Sequence, residues 1–199
     1  MPLLTLFTAP KPFTNPHIAT IQKNALHSWL LLPDVEIVLL GDEVGLAETA
    51  QEMGVLHLKD VERSPSGAPR LSSMFELVRA HSQSPLLGII NADILLMPDF
   101  MQAVRRVLEL QERFVLVSQR WDLDVTAPIE FTPGWEARLR EQVARHGKLH
   151  RLAGSDFFVF PRRCYTEVPP FTIGRAGWDN WMIYQARRQG WPVIDLTPA

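Results

Sequence analysis

The feature that most constrains the fold of this sequence is the alternation of short apolar runs with longer segments of helical periodicity. Short, continuously apolar runs are typical of buried parallel strands, and apolar residues at helical spacing are typical of helices packed on a sheet. The short runs predict strands at residues 3–7, 35–40, 55–58, 86–90, 114–117, 157–160 and 193–196.

Helices are predicted between these strands, beginning near residues 17, 46, 71, 100, 135 and 178. At the first of them, Asn15 is a good N-cap and Pro16 a good first helical residue. Strict strand–helix alternation in the first half predicts an α/β fold, a mostly parallel central sheet with helices on both faces. A length of 199 residues suits a single domain spanning residues 1–199.

Composition narrows the classes of partner. A formal net charge of −2 implies no broad basic face, which argues against nucleic acid and anionic membranes as partners. The single cysteine, Cys164, excludes an internal disulfide and fits a reducing compartment. We find no signal-peptide pattern at the N-terminus and no apolar run of membrane-spanning length, so we expect a cytoplasmic protein without a transmembrane segment.

Several motifs that would indicate other chemistry do not occur. No G-x-G-x-x-G follows a predicted strand, and neither a P-loop nor a G-x-S-x-G sequence is present. His146 and His150 lie four residues apart, but no carboxylate pattern completes a zinc site around them. Dinucleotide cofactors, P-loop nucleotide hydrolysis and serine hydrolase chemistry are therefore not expected.

The most informative segment is Asn91-Ala92-Asp93, which directly follows the most apolar predicted strand. In parallel sheets, ligands bind at the carboxyl ends of the strands. A carboxylate buried among such apolar neighbours is costly unless something compensates its charge, and a divalent cation can do so. The alternative is a strand-end turn in which Asn91 and Asp93 only cap local backbone groups.

This segment resembles the D-x-D motif of GT-A-type glycosyltransferases, with Asn91 in place of the first aspartate. In that family the motif ends a central strand, and its last aspartate holds Mn²⁺ or Mg²⁺, which bridges the diphosphate of the sugar donor. The resemblance implies that Asp93 is the metal ligand and that Asn91 faces the ribose or the waters of the ion. Carboxylate oxygen is a ligand that both ions prefer.

A second segment, residues 173–181, is similar to the glycine–tryptophan–acidic segment of inverting GT-A enzymes of the family 2 type. The resemblance implies that Asp179 is the catalytic base and that Trp178 lines the substrate site. A carboxylate at a helix N-terminus stays ionised because the helix dipole favours negative charge, so it can accept a proton. Alternatively, Asp179 only caps the helix and the tryptophans belong to the core.

The segment 154–161 is similar to one that lines the sugar and acceptor side of the pocket in this family. Asp156 would then bind hydroxyl groups of the donor sugar. The alternative is that Asp156 is a turn residue before an edge strand.

Five further residues occupy positions that contact the nucleotide in GT-A folds. The base and ribose would lie against the ends of the first two strands, and a basic residue after the loop at 64–69 would approach the diphosphate. The residues are Thr8, Ala9, Lys11, Asp42 and Arg70. For Lys11 and Arg70, a solvated surface role is the alternative.

The sequence also departs from the family pattern. GT-A enzymes often supply a second metal ligand, commonly histidine, beyond the last strand, whereas this sequence ends at Ala199 shortly after it. The departure leaves three alternatives, namely that the metal is weakly held, that a C-terminal segment is lacking, or that activity is low.

Together these features predict a metal-dependent, inverting glycosyltransferase of the hexosyltransferase type. It would move a sugar from a UDP- or GDP-sugar to the hydroxyl of an acceptor that the sequence does not identify. One alternative is a nucleotide-sugar-binding module with weak or no transferase activity. Another is a sugar-phosphate nucleotidyltransferase, which the absence of a glycine-rich, arginine-containing loop at residues 8–13 argues against.

Overall fold

The computed structural model describes residues 1–151 and 155–197. The helices within these ranges are α1 (Pro16–Leu30), α2 (Leu46–Met53), α3 (Leu71–His81), α4 (Phe100–Leu110), α5 (Trp135–His146) and α6 (Trp178–Arg188). The strands are β1 (Leu4–Thr8), β2 (Val35–Leu40), β3 (Leu56–Leu58), β4 (Leu86–Ile90), β5 (Val115–Val117), β6 (Trp121–Asp122), β7 (Lys148–Leu149), β8 (Phe157–Pro161) and β9 (Val193–Asp195).

Seven strands form the central sheet in the order β3-β2-β1-β4-β8-β5-β9. All neighbouring pairs are parallel except those of β8, which runs antiparallel to both β4 and β5. The prediction of an α/β fold with a mostly parallel sheet and β4 at its centre is confirmed. The alternative that Asp156 precedes an edge strand is wrong, because β8 is enclosed between two other strands.

The predicted helices occur where the sequence indicates them. Helix α1 starts at Pro16, and the Oδ1 atom of Asn15 accepts hydrogen bonds from the backbone N–H of His17 at 2.9 Å and of Ile18 at 3.2 Å. Helix α2 ends at Gly54, which adopts a left-handed φ of 66°. No helix of the described residues combines the length and the apolar character that crossing a membrane requires.

Two apolar layers cover the two faces of the sheet. Helices α1, α2 and α4 contribute to one layer, and α3 and α6 contribute to the other. Side chains of β4 alternate between them, Leu86 and Ile90 on the first face and Leu87 and Ile89 on the second. Burial on both faces explains why β4 is continuously apolar rather than alternating.

Gly88 lies at the middle of β4, opposite Leu6 of β1 and Val159 of β8. A Cβ atom on this residue would lie 2.8 Å from Leu6 Cδ2 and 3.0 Å from Val159 Cγ2. The absence of a side chain at Gly88 therefore lets the buried side chains of the two neighbouring strands occupy the space over β4.

We predict that Gly88→Ala lowers the free energy of unfolding by about 1–3 kcal/mol, because the added methyl group overpacks this layer. The clash should outweigh the gain of about 0.4–1 kcal/mol that alanine brings by restricting the unfolded chain. Urea unfolding would measure the change. In a Leu6→Val background, which removes the clashing atom, the same substitution should cost less, and equal costs in both backgrounds would contradict the explanation.

Candidate functional site

Polar side chains meet at the edge of the sheet where β1 and β4 end. Because β8 runs antiparallel to β4, its first residues lie at this same edge. Asn91, the residue after β4, donates its backbone N–H to the carbonyl oxygen of Asp156 at 2.8 Å. The sheet thus places side by side two polar residues that are 65 positions apart in the chain.

Asp93 is exposed rather than buried. Strand β4 ends at Ile90, and the chain then turns, with the N–H of Ile94 donating to the carbonyl oxygen of Asn91 at 3.2 Å. The premise that Asp93 is a buried carboxylate in need of a compensating cation is therefore wrong, since the chain leaves the apolar layers before this residue. A metal-binding role for Asp93 depends on its position at the sheet edge.

Helix α1 anchors the loop that carries Asp93. The indole N–H of Trp29 donates to the carbonyl oxygen of Ile94 at 2.8 Å, and the hydroxyl of Ser28 accepts from the N–H of Leu96 at 3.1 Å. Both α1 side chains are fully buried. The polar partner of Trp29 lies 65 residues away in the chain, so no local sequence pattern indicates this hydrogen bond.

Asp156 is buried, and each of its carboxylate oxygens accepts a hydrogen bond. Oδ1 accepts from the side-chain amide of Asn91 at 2.8 Å, and Oδ2 accepts from the Arg120 guanidinium at 2.6 Å. The amide nitrogen of Asn91 is directed to Asp156, so its Oδ1 atom is able to accept a hydrogen bond or bind a cation. Asp156 therefore orients Asn91 as well as lining the site.

Arg120 connects Asp156 to a second carboxylate, Asp122, whose Oδ1 accepts from the guanidinium at 2.7 Å. Burial lowers the pKa of Arg120, but the hydrogen bonds and charges of the two carboxylates outweigh it and raise the pKa overall. His150, whose Nδ1 lies 2.8 Å from Asp122 Oδ2, and then Arg120 hold the pKa of Asp122 below its usual value. The network therefore favours an ionised Asp122 and a charged Arg120.

Asn91, Arg120, Asp122 and Asp156 line a cavity of about 930 Å³ beside the sheet edge. Its walls come from α1, the loop after β4, the start of α4, the segment after β5, and α5. The predicted site residues Asn91, Asp93 and Asp156 line this cavity. A volume of this size is in the range of pockets that hold small-molecule ligands.

Four predicted substrate-binding residues meet around a second, much smaller cavity of about 30 Å³. They are Thr8, Ala9, Asn91 and Trp178. Trp178 is buried and contacts Phe158 of β8, with ring centroids 5.5 Å apart. Asn91 lines both cavities, so the ends of β1 and β4 and the start of α6 adjoin the larger cavity through this residue.

Three predicted nucleotide contacts lie outside the lining of both cavities. Lys11 is exposed, and its backbone N–H and carbonyl are both held by the side chain of Gln22, at 2.7 and 3.0 Å. Asp42 is paired with the guanidinium of Arg63. Arg70 precedes α3, where its side chain donates to a backbone carbonyl oxygen at 3.4 Å. Their roles in nucleotide binding stay predictions.

Asp179 lies in the first turn of α6, next to Trp178, and is half-buried. Its Oδ1 accepts the backbone N–H of Asn180 at 2.8 Å. The N-cap of the helix is Gly177, which has no side chain for capping, so Asp179 contributes negative charge near the helix start. Asp179 itself is outside the lining of both cavities.

Sequence reasoning missed Arg120 and its neighbours. Residues 118–122 directly follow β5, and they line the larger cavity. Ligands bind at the carboxyl ends of the strands in such sheets, and this rule applies to β5 as it does to β1 and β4. It could therefore have predicted residues 118–122 as part of the site. The β6–β7 ribbon that holds this segment was not predicted, since strands of two residues have no readable periodicity. Gly154, at the start of the predicted segment 154–161, lies outside the described residues.

The residues of the site suit a divalent cation only when a bound ligand, such as a diphosphate, supplies further oxygen atoms. Within residues 1–151 and 155–197, no three His, Cys, Asp or Glu side chains cluster as a preformed metal site would require. Asp93 offers one carboxylate, and Asn91 offers a neighbouring amide oxygen. Mg²⁺ is often bound by one or two carboxylates plus substrate phosphates and water, so these residues fit an ion that a diphosphate helps to hold.

Comparison with known proteins identifies the architecture. No protein-family model and no curated protein matches the sequence. Among solved structures, the mannosyltransferase PcManGT from Pyrobaculum calidifontis, in complex with GDP-Man and Mn²⁺, aligns with a TM-score of 0.62 and 12% identity over 98% of this chain and 55% of that chain. Glucosyl-3-phosphoglycerate synthase from Mycobacterium tuberculosis, in complex with UDP, aligns with a TM-score of 0.56 and 17% identity over 98% and 70%. This chain has the GT-A fold.

A nucleotidyltransferase shares this architecture. CMP:2-keto-3-deoxy-manno-octonic acid synthetase complexed with CTP aligns with a TM-score of 0.57 and 10% identity, over 99% of this chain and 90% of that chain. The chain spans about half the length of the mannosyltransferase, 55%. At these identities the common property is the GT-A fold of nucleotide-diphospho-sugar transferases, and the site itself must be judged on its own residues.

We predict that Arg120→Met lowers the free energy of unfolding at neutral pH by roughly 2 kcal/mol, because the buried carboxylate of Asp156 loses its charged partner. The value should lie below the range of about 3–5 kcal/mol for fully buried pairs, since the Arg120 side chain is 33% exposed. Urea unfolding would measure it. Adding Asp156→Asn should recover part of the loss, and a double variant no more stable than Arg120→Met would contradict the pairing.

Proposed function

We propose that this chain is a glycosyltransferase that moves a sugar from a nucleoside-diphosphate sugar to an acceptor hydroxyl. The observation that carries the proposal is the meeting of Thr8, Ala9, Asn91 and Trp178 around one cavity at the carboxyl edge of β1 and β4. Asp93 lies on the adjoining cavity. Asn91, Asp93 and Trp178 belong to sequence segments that resemble GT-A motifs, and with Thr8 and Ala9 they lie at the edge where ligands bind in α/β sheets.

The donor we propose is a UDP- or GDP-sugar. Support comes from proteins of the same fold that have been solved with GDP-Man and Mn²⁺ and with UDP. The nucleotidyltransferase alternative also has a structural neighbour, but residues 8–13 contain neither the glycines nor the arginine of its phosphate-binding loop. We therefore prefer glycosyl transfer to nucleotidyl transfer as the proposed reaction.

Asp93, with the amide oxygen of Asn91 beside it, would hold Mn²⁺ or Mg²⁺ together with the diphosphate. The ion, when bound, would supply Lewis-acid stabilisation of the leaving nucleoside diphosphate. Asn91 is suited to this position because Asp156 fixes its amide group. Trp29 and Ser28 keep the loop of Asp93 against α1, so the carboxylate needs little ordering when the donor binds.

Asp179 would act as the base of an inverting reaction. As the acceptor oxygen attacks the anomeric carbon, its proton passes to the Asp179 carboxylate, and the bond to the nucleoside diphosphate breaks on the opposite face. Asp179 lies in the first turn of α6, where the helix N-terminus interacts favourably with negative charge. Its neighbour Trp178 lines the small cavity, which supports a position near the donor.

We predict that UDP or GDP binds with an affinity that Mn²⁺ increases, and that Asp93→Ala removes the increase but keeps metal-independent binding. Calorimetric titration with and without Mn²⁺ would measure it. A ligand at about 100 times its Kd adds roughly 2.7 kcal/mol of stability, so thermal unfolding is a second readout. Asp60→Ala, which removes an exposed carboxylate elsewhere, is the matched control. A Mn²⁺ effect that survives in Asp93→Ala would assign the ion to other residues.

We predict that Asp179→Asn reduces the single-turnover rate at saturating donor by about 10²–10⁴, with donor affinity and stability nearly unchanged. The amide keeps the size of the side chain but does not accept the proton. Asn180→Ala, at the exposed neighbouring position, should leave the rate within a fewfold of the parent. Asp156→Asn should lower donor affinity as well as rate if Asp156 binds the sugar. Full activity of Asp179→Asn would exclude it as the base.

The alternative function is a nucleotide-sugar-binding module with weak or no transferase activity. It predicts the same calorimetric result for UDP or GDP but no donor consumption with any acceptor. Release of nucleoside diphosphate from a panel of UDP- and GDP-sugars, with hydroxyl acceptors present, would separate the two.

A further inference from the structure

Trp121 is an exposed tryptophan in the wall of the large cavity. Its side chain is 51% exposed, and it stands in β6 between Arg120 and Asp122. Tryptophan is a large apolar residue that is mostly buried in folded proteins, so an exposed indole on a cavity wall indicates a surface kept for a ligand.

The backbone around Trp121 is held in place on both sides. Trp121 pairs with Leu149 in the β6–β7 ribbon, and the N–H of His150 donates to the carbonyl oxygen of Arg120 at 2.8 Å. One residue earlier, the N–H of Gln119 donates to the hydroxyl of Thr197 at 2.9 Å. Because the support is fixed, the indole presents its surface at a low ordering cost.

The charges of the cavity disfavour an anionic ligand at this wall. Two guanidinium groups line it, and both are paired, Arg120 with Asp122 and Asp156 and Arg140 with Asp99. The carboxylates that line it are Asp93, Asp99, Asp122, Asp124 and Asp156. Even without Asp93, which the proposed function assigns to the ion that holds the diphosphate, four carboxylates face two arginines. A phosphate or carboxylate group beside Trp121 would therefore meet net repulsion.

An apolar flat surface beside carboxylates matches the chemistry of an uncharged sugar. One face of a pyranose ring presents C–H groups that pack against an indole, and its hydroxyls donate hydrogen bonds to carboxylates. Asp122 and Asp124 are both exposed on the Trp121 segment. The Oδ1 atom of Asp122 accepts a hydrogen bond from Arg120, and its Oδ2 atom lies near His150. Each oxygen has a second lone pair that can accept a hydrogen bond from a sugar hydroxyl.

We propose that the Trp121 segment binds a neutral saccharide, with the ring stacked on the indole and hydroxyls on Asp122 and Asp124. Its role as the acceptor of sugar transfer rests on the proposed function. The binding itself depends only on the cavity. The saccharide class follows from three observations together, namely the exposed indole, the adjacent carboxylates and the excess of negative charge.

The test is nuclear magnetic resonance of the ¹⁵N-labelled indole groups in the whole chain, with the Trp121 signal identified from Trp121→Phe. The probes are the methyl glycosides of glucose, mannose, galactose and N-acetylglucosamine, and glucose 6-phosphate, each with and without UDP and Mn²⁺. We expect at least one neutral glycoside to shift the Trp121 signal saturably and to bind more tightly than glucose 6-phosphate. No shift with any neutral glycoside, or tighter binding of the phosphate, would overturn the proposal.

Variants test the contact itself. Trp121→Leu, which keeps apolar bulk but removes the flat ring, should weaken saccharide binding by about two- to tenfold. Trp121→Phe should retain more of the affinity, measured on the remaining signals and by calorimetry. Tyr184→Ala removes another exposed aromatic side chain, on α6 and outside the cavity lining, and should bind as the parent does. Equal affinity of Trp121→Leu and the parent would reject stacking.

Failure of this inference is distinguishable from failure of the proposed function. Saccharide binding at Trp121 without donor binding or turnover would reject the transferase and retain the saccharide site. Transfer activity with an acceptor KM that is the same in Trp121→Leu and the parent would retain the transferase and reject this site.

Discussion

Asp156 is a buried carboxylate whose two oxygens are held from opposite sides, by Asn91 after β4 and by Arg120 after β5. A buried charge of this kind is tolerable only when it is paired and hydrogen-bonded, so the three residues define one another's positions. Arg120 in turn holds Asp122 at the start of the β6–β7 ribbon. The positions of Asn91 and Arg120 in the wall of the large cavity therefore depend on the carboxylate of Asp156.

That carboxylate reaches the site because β8 is antiparallel. Had β8 run parallel to β4, its first residue would lie at the opposite edge of the sheet, away from Asn91. Gly88, at the middle of β4, leaves room for the side chains of Leu6 and Val159 over that strand. Helices on both faces bury the sheet between two apolar layers, and Asn91 and Asp156 lie where its strands end.

The GT-A fold by itself is compatible with both sugar transfer and nucleotidyl transfer, as the structural neighbours illustrate. Two features of the residues support the sugar transfer that we propose. Residues 8–13 lack a glycine-rich phosphate loop, while the exposed Asp93 follows the central strand and the half-buried Asp179 lies in the first turn of α6. The cavity beside this edge is lined by five aspartates and carries an exposed indole, which supports the neutral saccharide that we propose as its ligand.

The sequence by itself determined the helices, the seven strands of the central sheet and part of its polar edge. Periodicity located the helices and β4, and Asn15 identified the start of α1, because these signals are local. Thr8, Ala9 and Asn91 were assigned to one substrate site by the resemblance to GT-A enzymes. The tertiary structure alone decided the direction of β8, the exposure of Asp93 and the pairing of Asp156 with Arg120. Those properties depend on strand order and on two hydrogen bonds of Asp156. Its partners Arg120 and Asn91 lie 36 and 65 positions away in the chain, and no local pattern encodes such contacts.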